Sequence, residues 1–224
     1  MNAKECFNDW LDIIDLEKLY KVLSTLNKLS KKCILLEPSS KSVFKCFQKT
    51  SLRDTKIIML GMDPYPQKGV ATGLAFGVNS TVIPPSLRVL EEACINYEIP
   101  HNHIEFDYTL ESWANQGILL LNSALTCEVN KPGSHIHIWR PFMSDFLTKL
   151  SNTHPGCLYV LMGRQAQSFE PCINKNCNCI IKTHHPAYYA RTGSKMPYET
   201  FLAINKFSIN NYGEPIIWYK EQKD

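Results

Sequence analysis

The sequence predicts an α/β protein of a single domain, residues 1–224, with three layers and a central, mostly parallel four-stranded sheet between helices. Three observations carry this. Short apolar runs occur at residues 56–61 (KIIMLG), 117–122 (GILLLN) and 157–163 (CLYVLMG), and a fourth, weaker one at 178–186 (NCIIKTHHP). Such runs, four to eight residues long and without polar alternation, are strands buried on both faces. Stretches with helical periodicity lie between them, and strands joined by helices pair in parallel. Finally, no repeat, low-complexity tract or Gly/Ser linker divides the chain.

The elements follow in order. Phe7, Trp10, Leu11 and Ile14 form one apolar stripe, and Leu16, Leu19, Leu23 and Leu26 a second, rotated stripe. The rotation predicts a break near Asp15. Residues 42–48 read as a short helix before the first strand. A helix begins near Pro85 or Ser86, because proline is tolerated in a first helical turn. Residues 139–150 and 197–213 are two more helices, the latter capped by Gly213.

The composition narrows the function. Of 224 residues, 44% are hydrophobic and 20% charged, which excludes a disordered chain. No apolar run approaches the roughly 20 residues of a membrane span, and the N-terminus carries no signal-like apolar core. The expected location is therefore intracellular, with no membrane partner. The net charge is only +3, so any nucleic acid must be met by a local basic face. Nine cysteines without an export signal suggest reduced thiols. Cys172, Cys177 and Cys179 sit close enough in sequence to hold a metal or to lie in a plain loop; the paired C-x2-C spacing of zinc knuckles is missing. His103-x-Glu105 with Pro171-Cys172 faintly echoes zinc deaminases, but the second spacing is too long.

In parallel sheets ligands bind beyond the carboxyl ends of the strands. After the first strand, Asp63 is displayed between Met62 and the rigid Pro64-Tyr65-Pro66. After the second comes Asn122, whose amide either caps a turn or reads a base edge. Phe76 lies among Gly69, Gly73 and Gly77, as a core residue or a stacking face. After the fourth strand come His184, His185, Ala187, Tyr188, Tyr189 and Arg191. From Cys172 to Pro197 there are four Lys/Arg (Lys175, Lys182, Arg191, Lys195) and no Asp or Glu, a pattern suited to phosphates. A ring, an amide, an acid and an imidazole at one sheet edge suit a flat heterocycle.

These residues resemble the uracil-DNA glycosylase superfamily, in particular the branch shared by bacteria, eukaryotes and large DNA viruses. Its GQDPYH motif appears as GMDPYP at 61–66, GLAF stands at 73–76, and PPS at 84–86. LLLN-x-x-LT matches 119–126, and HPS becomes His185-Pro186-Ala187. The resemblance spans about residues 8–218. GMDPYP and HHPAYYAR also resemble poxvirus members of the family.

The resemblance implies hydrolysis of the N-glycosidic bond of uracil flipped out of single- or double-stranded DNA, with no cofactor or metal. Asp63 would act on the water and sugar, and His185 would donate to the departing base. Met62, Tyr65, Phe76 and Asn122 would hold uracil, Tyr65 excluding a 5-methyl group. Pro66, Ser86, Gly163, Arg164, Gln165, Ala187, Tyr188, Tyr189 and Arg191 would line the DNA, Tyr189 standing where the family has a leucine wedge. The expected molecule is a monomer. Its expected protein partners are a DNA-mimicking inhibitor or a replication factor, and the alternative role is a catalytically weak or inactive subunit of the same fold that binds DNA or associates with a polymerase.

Overall fold

The computed structural model describes residues 6–96, 98–100 and 103–221. Four strands form the central sheet: β2 (Ile57–Gly61), β4 (Ile118–Asn122), β6 (Leu158–Met162) and β7 (Cys179–Thr183). Their order is β4-β2-β6-β7 and every pairing is parallel. All residues of β2, β4 and β6 are buried. Successive side chains point to opposite faces, so an unbroken buried run means that both faces are covered. This is the three-layer arrangement the apolar runs require. Strand β7 lies at the sheet edge and is only partly covered, which explains its weaker pattern.

The break near Asp15 is real. A 3-10 turn, Asn8–Asp12, gives way to α1 (Leu16–Ser30), and the Asp15 carboxylate caps α1 by accepting from the Lys18 amide at 3.0 Å. The short helix α2 spans Lys45–Lys49, and α3 spans Pro85–Cys94 with proline at its first position. Helix α4 (Glu111–Ala114) leads into β4. Helix α5 runs Ile136–Thr153, three residues longer at each end than its periodicity suggested, and carries Pro141 inside. Helix α6 (Arg164–Gln167) follows β6, α7 (Pro186–Thr192) follows β7, and α8 (Glu199–Tyr212) ends at Gly213 with φ +82°. Helix α1 packs on α5, and α3 on α7.

Two aromatic clusters anchor the layers. Trp10, Phe47 and Phe146 meet edge-on or tilted, and the Trp10 indole donates to the Thr50 carbonyl at 2.8 Å. Trp113, Phe201 and Trp218 form the second, tying the chain's end to α4. Two-residue strands, β1 (Leu36–Glu37) with β5 (Cys127–Glu128) and β3 (Ile104–Glu105) with β8 (Lys220–Glu221), fasten the periphery. No described helix is long and apolar enough to cross a membrane. All nine cysteines are free.

Candidate active site

Parallel register carries the ends of β2, β4, β6 and β7 to one edge, with Gly61 directly opposite Asn122. Gly61 is glycine for a spatial reason. A Cβ there would lie 2.6 Å from Asn122 Oδ1 and 3.0 Å from the Phe76 ring. The carboxamide and the ring therefore both press against bare backbone. Asn122 is only 7% exposed, and among the described residues no hydrogen bond engages its side chain. Its donor and acceptor are thus uncommitted within the protein and available to a ligand.

Phe76 adopts φ +67°, an uncommon conformation for a bulky residue, and its ring is buried. The loop around it is held by the Ala75 amide donating to Leu120 at 3.1 Å and by Gly73, where a Cβ would strike the Ser42 carbonyl at 1.8 Å. The Phe76 and His185 rings lie 5.6 Å apart, tilted by 47°. Ring, amide and imidazole thus share one site.

Asp63 follows β2 on a segment tied down from the β4 side. Ser123 donates its amide and hydroxyl to the Gly61 carbonyl, at 3.0 and 2.7 Å, and the Ala124 amide donates to Met62 at 3.0 Å. The Asp63 carboxylate accepts from the Gly133 amide at 2.5 Å. Burial pushes its pKa up, and the Gly133 hydrogen bond opposes that rise. Gly133 belongs to a loop anchored by Ser134, whose hydroxyl accepts from Glu128, and by Thr126, which bridges His135 and Trp139. The Met62 methyl lies 3.3 Å from where a Gly133 Cβ would stand. No pattern in the sequence marked Gly133 as the carboxylate's partner.

His185 caps α7, its Nδ1 accepting from the Ala187 amide at 3.1 Å. The neutral ring must then carry its proton on Nε2. Burial lowers its pKa to about 4, so the neutral donor is the resting form. Gly163, φ +89°, sits beneath it: a Cβ there would be 2.8 Å from His185 Cβ.

The surface assignments divide. Pro66, Ala187 and Arg191 line an open groove of about 720 Å³ beside Tyr65. Arg164, Gln165, Tyr188 and Arg191 line a second, of about 410 Å³, beside His185 and Met62. One expectation needs correction. Tyr189 is buried, with its hydroxyl 3.0 Å from Thr183, because the phase of α7 turns it inward; Tyr188 is the exposed ring. Ser86 lines the first groove, and its hydroxyl and that of Tyr65 share a hydrogen bond of 2.9 Å, so it also fixes Tyr65. Gly163 lines the second groove and, packed under His185, also supports the imidazole. The basic run is also smaller than counted, since Lys175 and Lys182 both pair with Glu170. Among the described residues, no three His, Cys, Asp or Glu side chains form a group able to hold a metal; Cys177 Sγ lies near the Ser151 and Asn174 carbonyls.

This edge of an α/β sheet gathers a ring, an amide, a carboxylate and an imidazole, a set suited to a flat heterocycle. Comparison with known proteins points the same way. The profile of the uracil DNA glycosylase superfamily matches residues 47–207. A uracil-DNA glycosylase of Buchnera aphidicola is 34% identical over 215 residues, covering 94% of this chain and 97% of that protein. That of Alcelaphine herpesvirus 1 is 32% identical over 229 residues, covering 95% and 88%. The crystal structure of mimivirus uracil-DNA glycosylase superposes with a TM-score of 0.83 at 22% identity, over 97% of this chain and 89% of that one. A mimivirus UNG variant solved in complex with UGI superposes with a TM-score of 0.83 at 21% identity, over 97% and 91%. The chain belongs to the uracil DNA glycosylase superfamily.

Proposed function

We propose that this protein is a DNA-repair glycosylase that flips uracil out of DNA and hydrolyses its N-glycosidic bond, leaving an abasic site. The observation that carries the site assignment is the Asn122 carboxamide beside Phe76, which makes no hydrogen bond among the described residues. An amide offers one acceptor and one donor, which complement the N3–H and O4 of uracil. Cytosine presents the opposite pattern and pairs only with the amide turned over, so its rejection requires the amide to be held with Oδ1 toward N3–H; a mismatched base then leaves polar groups unpaired.

The reaction follows from charge. As the C1′–N1 bond breaks, its electron pair departs with uracil, and the sugar becomes an oxocarbenium-like cation. His185 Nε2–H stabilises the negative charge gathering on uracil O2. Asp63 faces the cation and accepts a proton from the water that adds to C1′. The scheme requires side chains only. Tyr65, held by Ser86 with its hydroxyl pKa pushed up to about 12, stays neutral and walls the pocket against a 5-methyl group. Met62 offers no amide to orient water, leaving that task to Asp63 and the Gly133 loop. Pro66, Arg164, Gln165, Ala187, Tyr188 and Arg191 form the DNA-facing rim. A DNA-mimicking inhibitor protein would cover the same rim. The whole chain acts as one intracellular domain; its free thiols fit a reducing compartment.

The test is conversion of a uracil-containing oligonucleotide to an alkali-labile strand. Asn122→Ala is expected to lower kcat/KM at least 100-fold with the fold intact. A rate within threefold of the parent would reject the site.

A further inference from the structure

We propose that His184 and Tyr188 form a stacking platform for the nucleobase next to the flipped uracil, a subsite that reads a single strand by its neighbouring base. The proposal rests on the glycosylase reading above and deepens it.

The two rings stack, with centroids 4.3 Å apart and planes inclined by only 24°. One face of Tyr188 is therefore covered by His184. Tyr189 also meets this ring, nearly perpendicular at 5.5 Å between centroids, and the residue as a whole remains 38% exposed. The platform borders the 410 Å³ groove that also contains His185, the donor to the departing base. His184 adjoins His185 in sequence and lines the same groove, which places the platform beside the site of chemistry.

The surroundings suit nucleic acid rather than an apolar partner. Arg164 and Arg191 line the same groove, and among the described residues neither has a carboxylate partner. Cations for the phosphates beside an aromatic face for a base are the pairing by which single strands are held. Tyr189, the neighbouring ring, is committed to the interior by its hydrogen bond to Thr183. In this conformation the chain offers a flat face at the rim instead of a side chain to fill a vacated duplex position.

The experiment uses single-stranded oligonucleotides with one uracil, in which the base on its 5′ or its 3′ side is replaced by an abasic spacer. Removing one of the two neighbours is expected to lower kcat/KM about tenfold in the parent and in Tyr188→Phe, which keeps the face. In Tyr188→Ala the same removal should cost nothing. Equal losses in all three proteins, or no loss in the parent, would overturn the platform. A second readout does not depend on excision. Here 2-aminopurine sits beside 2′-fluoro-2′-deoxyuridine, whose fluorine slows bond cleavage. Its fluorescence should be quenched on binding the parent and Tyr188→Phe but not Tyr188→Ala; no quenching by the parent would overturn the proposal. A parent that quenches but releases no uracil would reject the glycosylase reading and leave the platform standing.

Discussion

Adding one methyl group at Gly61 should disable the site while leaving the fold in place. Gly61 does not need a left-handed backbone, so alanine meets no conformational penalty there. Its methyl would lie 2.6 Å from Asn122 Oδ1 and 3.0 Å from the Phe76 ring. Ordinary contact begins near 3.4 Å, so the carboxamide must retreat by about 0.8 Å and the ring by about half that. Misplacing a positioning group by about 1 Å costs on the order of 100-fold in rate. Overpacking at a buried position costs about 1–3 kcal/mol, a fall in Tm of several degrees for a chain of this length. The assay is uracil release under single-turnover conditions, with thermal melting of the same preparation. Gly61→Ala is expected to melt cooperatively and to lose about 100-fold in kcat/KM. A variant within threefold of the parent would refute the claim that Asn122 and Phe76 grip the base against Gly61.

Other outcomes follow from the same geometry. His185 has a folded pKa of about 4 against an ordinary 6.5, so the unfolded chain binds the extra proton between these values and stability falls as pH drops through that window. Between pH 8 and pH 5 the parent should lose about 2 kcal/mol in urea unfolding from this group, a loss absent in His185→Gln. Since His185 acts as the neutral donor, kcat/KM should show its acid limb well below pH 6.5; a limb at 6.5 or above would contradict the neutral resting form. Gly163→Ala combines a glycine-only conformation with a 2.8 Å approach to His185 Cβ, so it should cost about 1–3 kcal/mol in stability and reduce kcat more than it raises KM. Met62→Gln restores an amide beside Asp63 and should raise kcat severalfold on uracil-containing DNA, read in the same release assay.

The central sheet was legible because β2, β4 and β6 are each five consecutive buried residues, a pattern that only a doubly covered strand requires. That Asp63, Asn122 and His185 gather in one place was legible because parallel strands must end at one edge. The short strands β1, β3, β5 and β8 were not, since two residues carry no periodicity. The orientation of Tyr188 and Tyr189 was hidden for a different reason. Adjacent residues on a helix differ by about 100°, and only the phase of α7 against its neighbours decides which ring turns inward. The partner of Asp63 was equally invisible: Gly133 lies 70 residues away, and it contributes a backbone amide that any residue type possesses. Glu170 lies just outside the basic run it neutralises, so counting charge along the chain overstated the local field.

The most direct test of the account is uracil release from matched single- and double-stranded oligonucleotides in EDTA, with the parent beside Asp63→Asn. The account predicts abasic sites from the parent with the chelator present, and a loss of about 100-fold or more in the variant, the scale for removing a charge that stabilises the transition state. Intact DNA after prolonged incubation with folded, DNA-binding parent protein would contradict it.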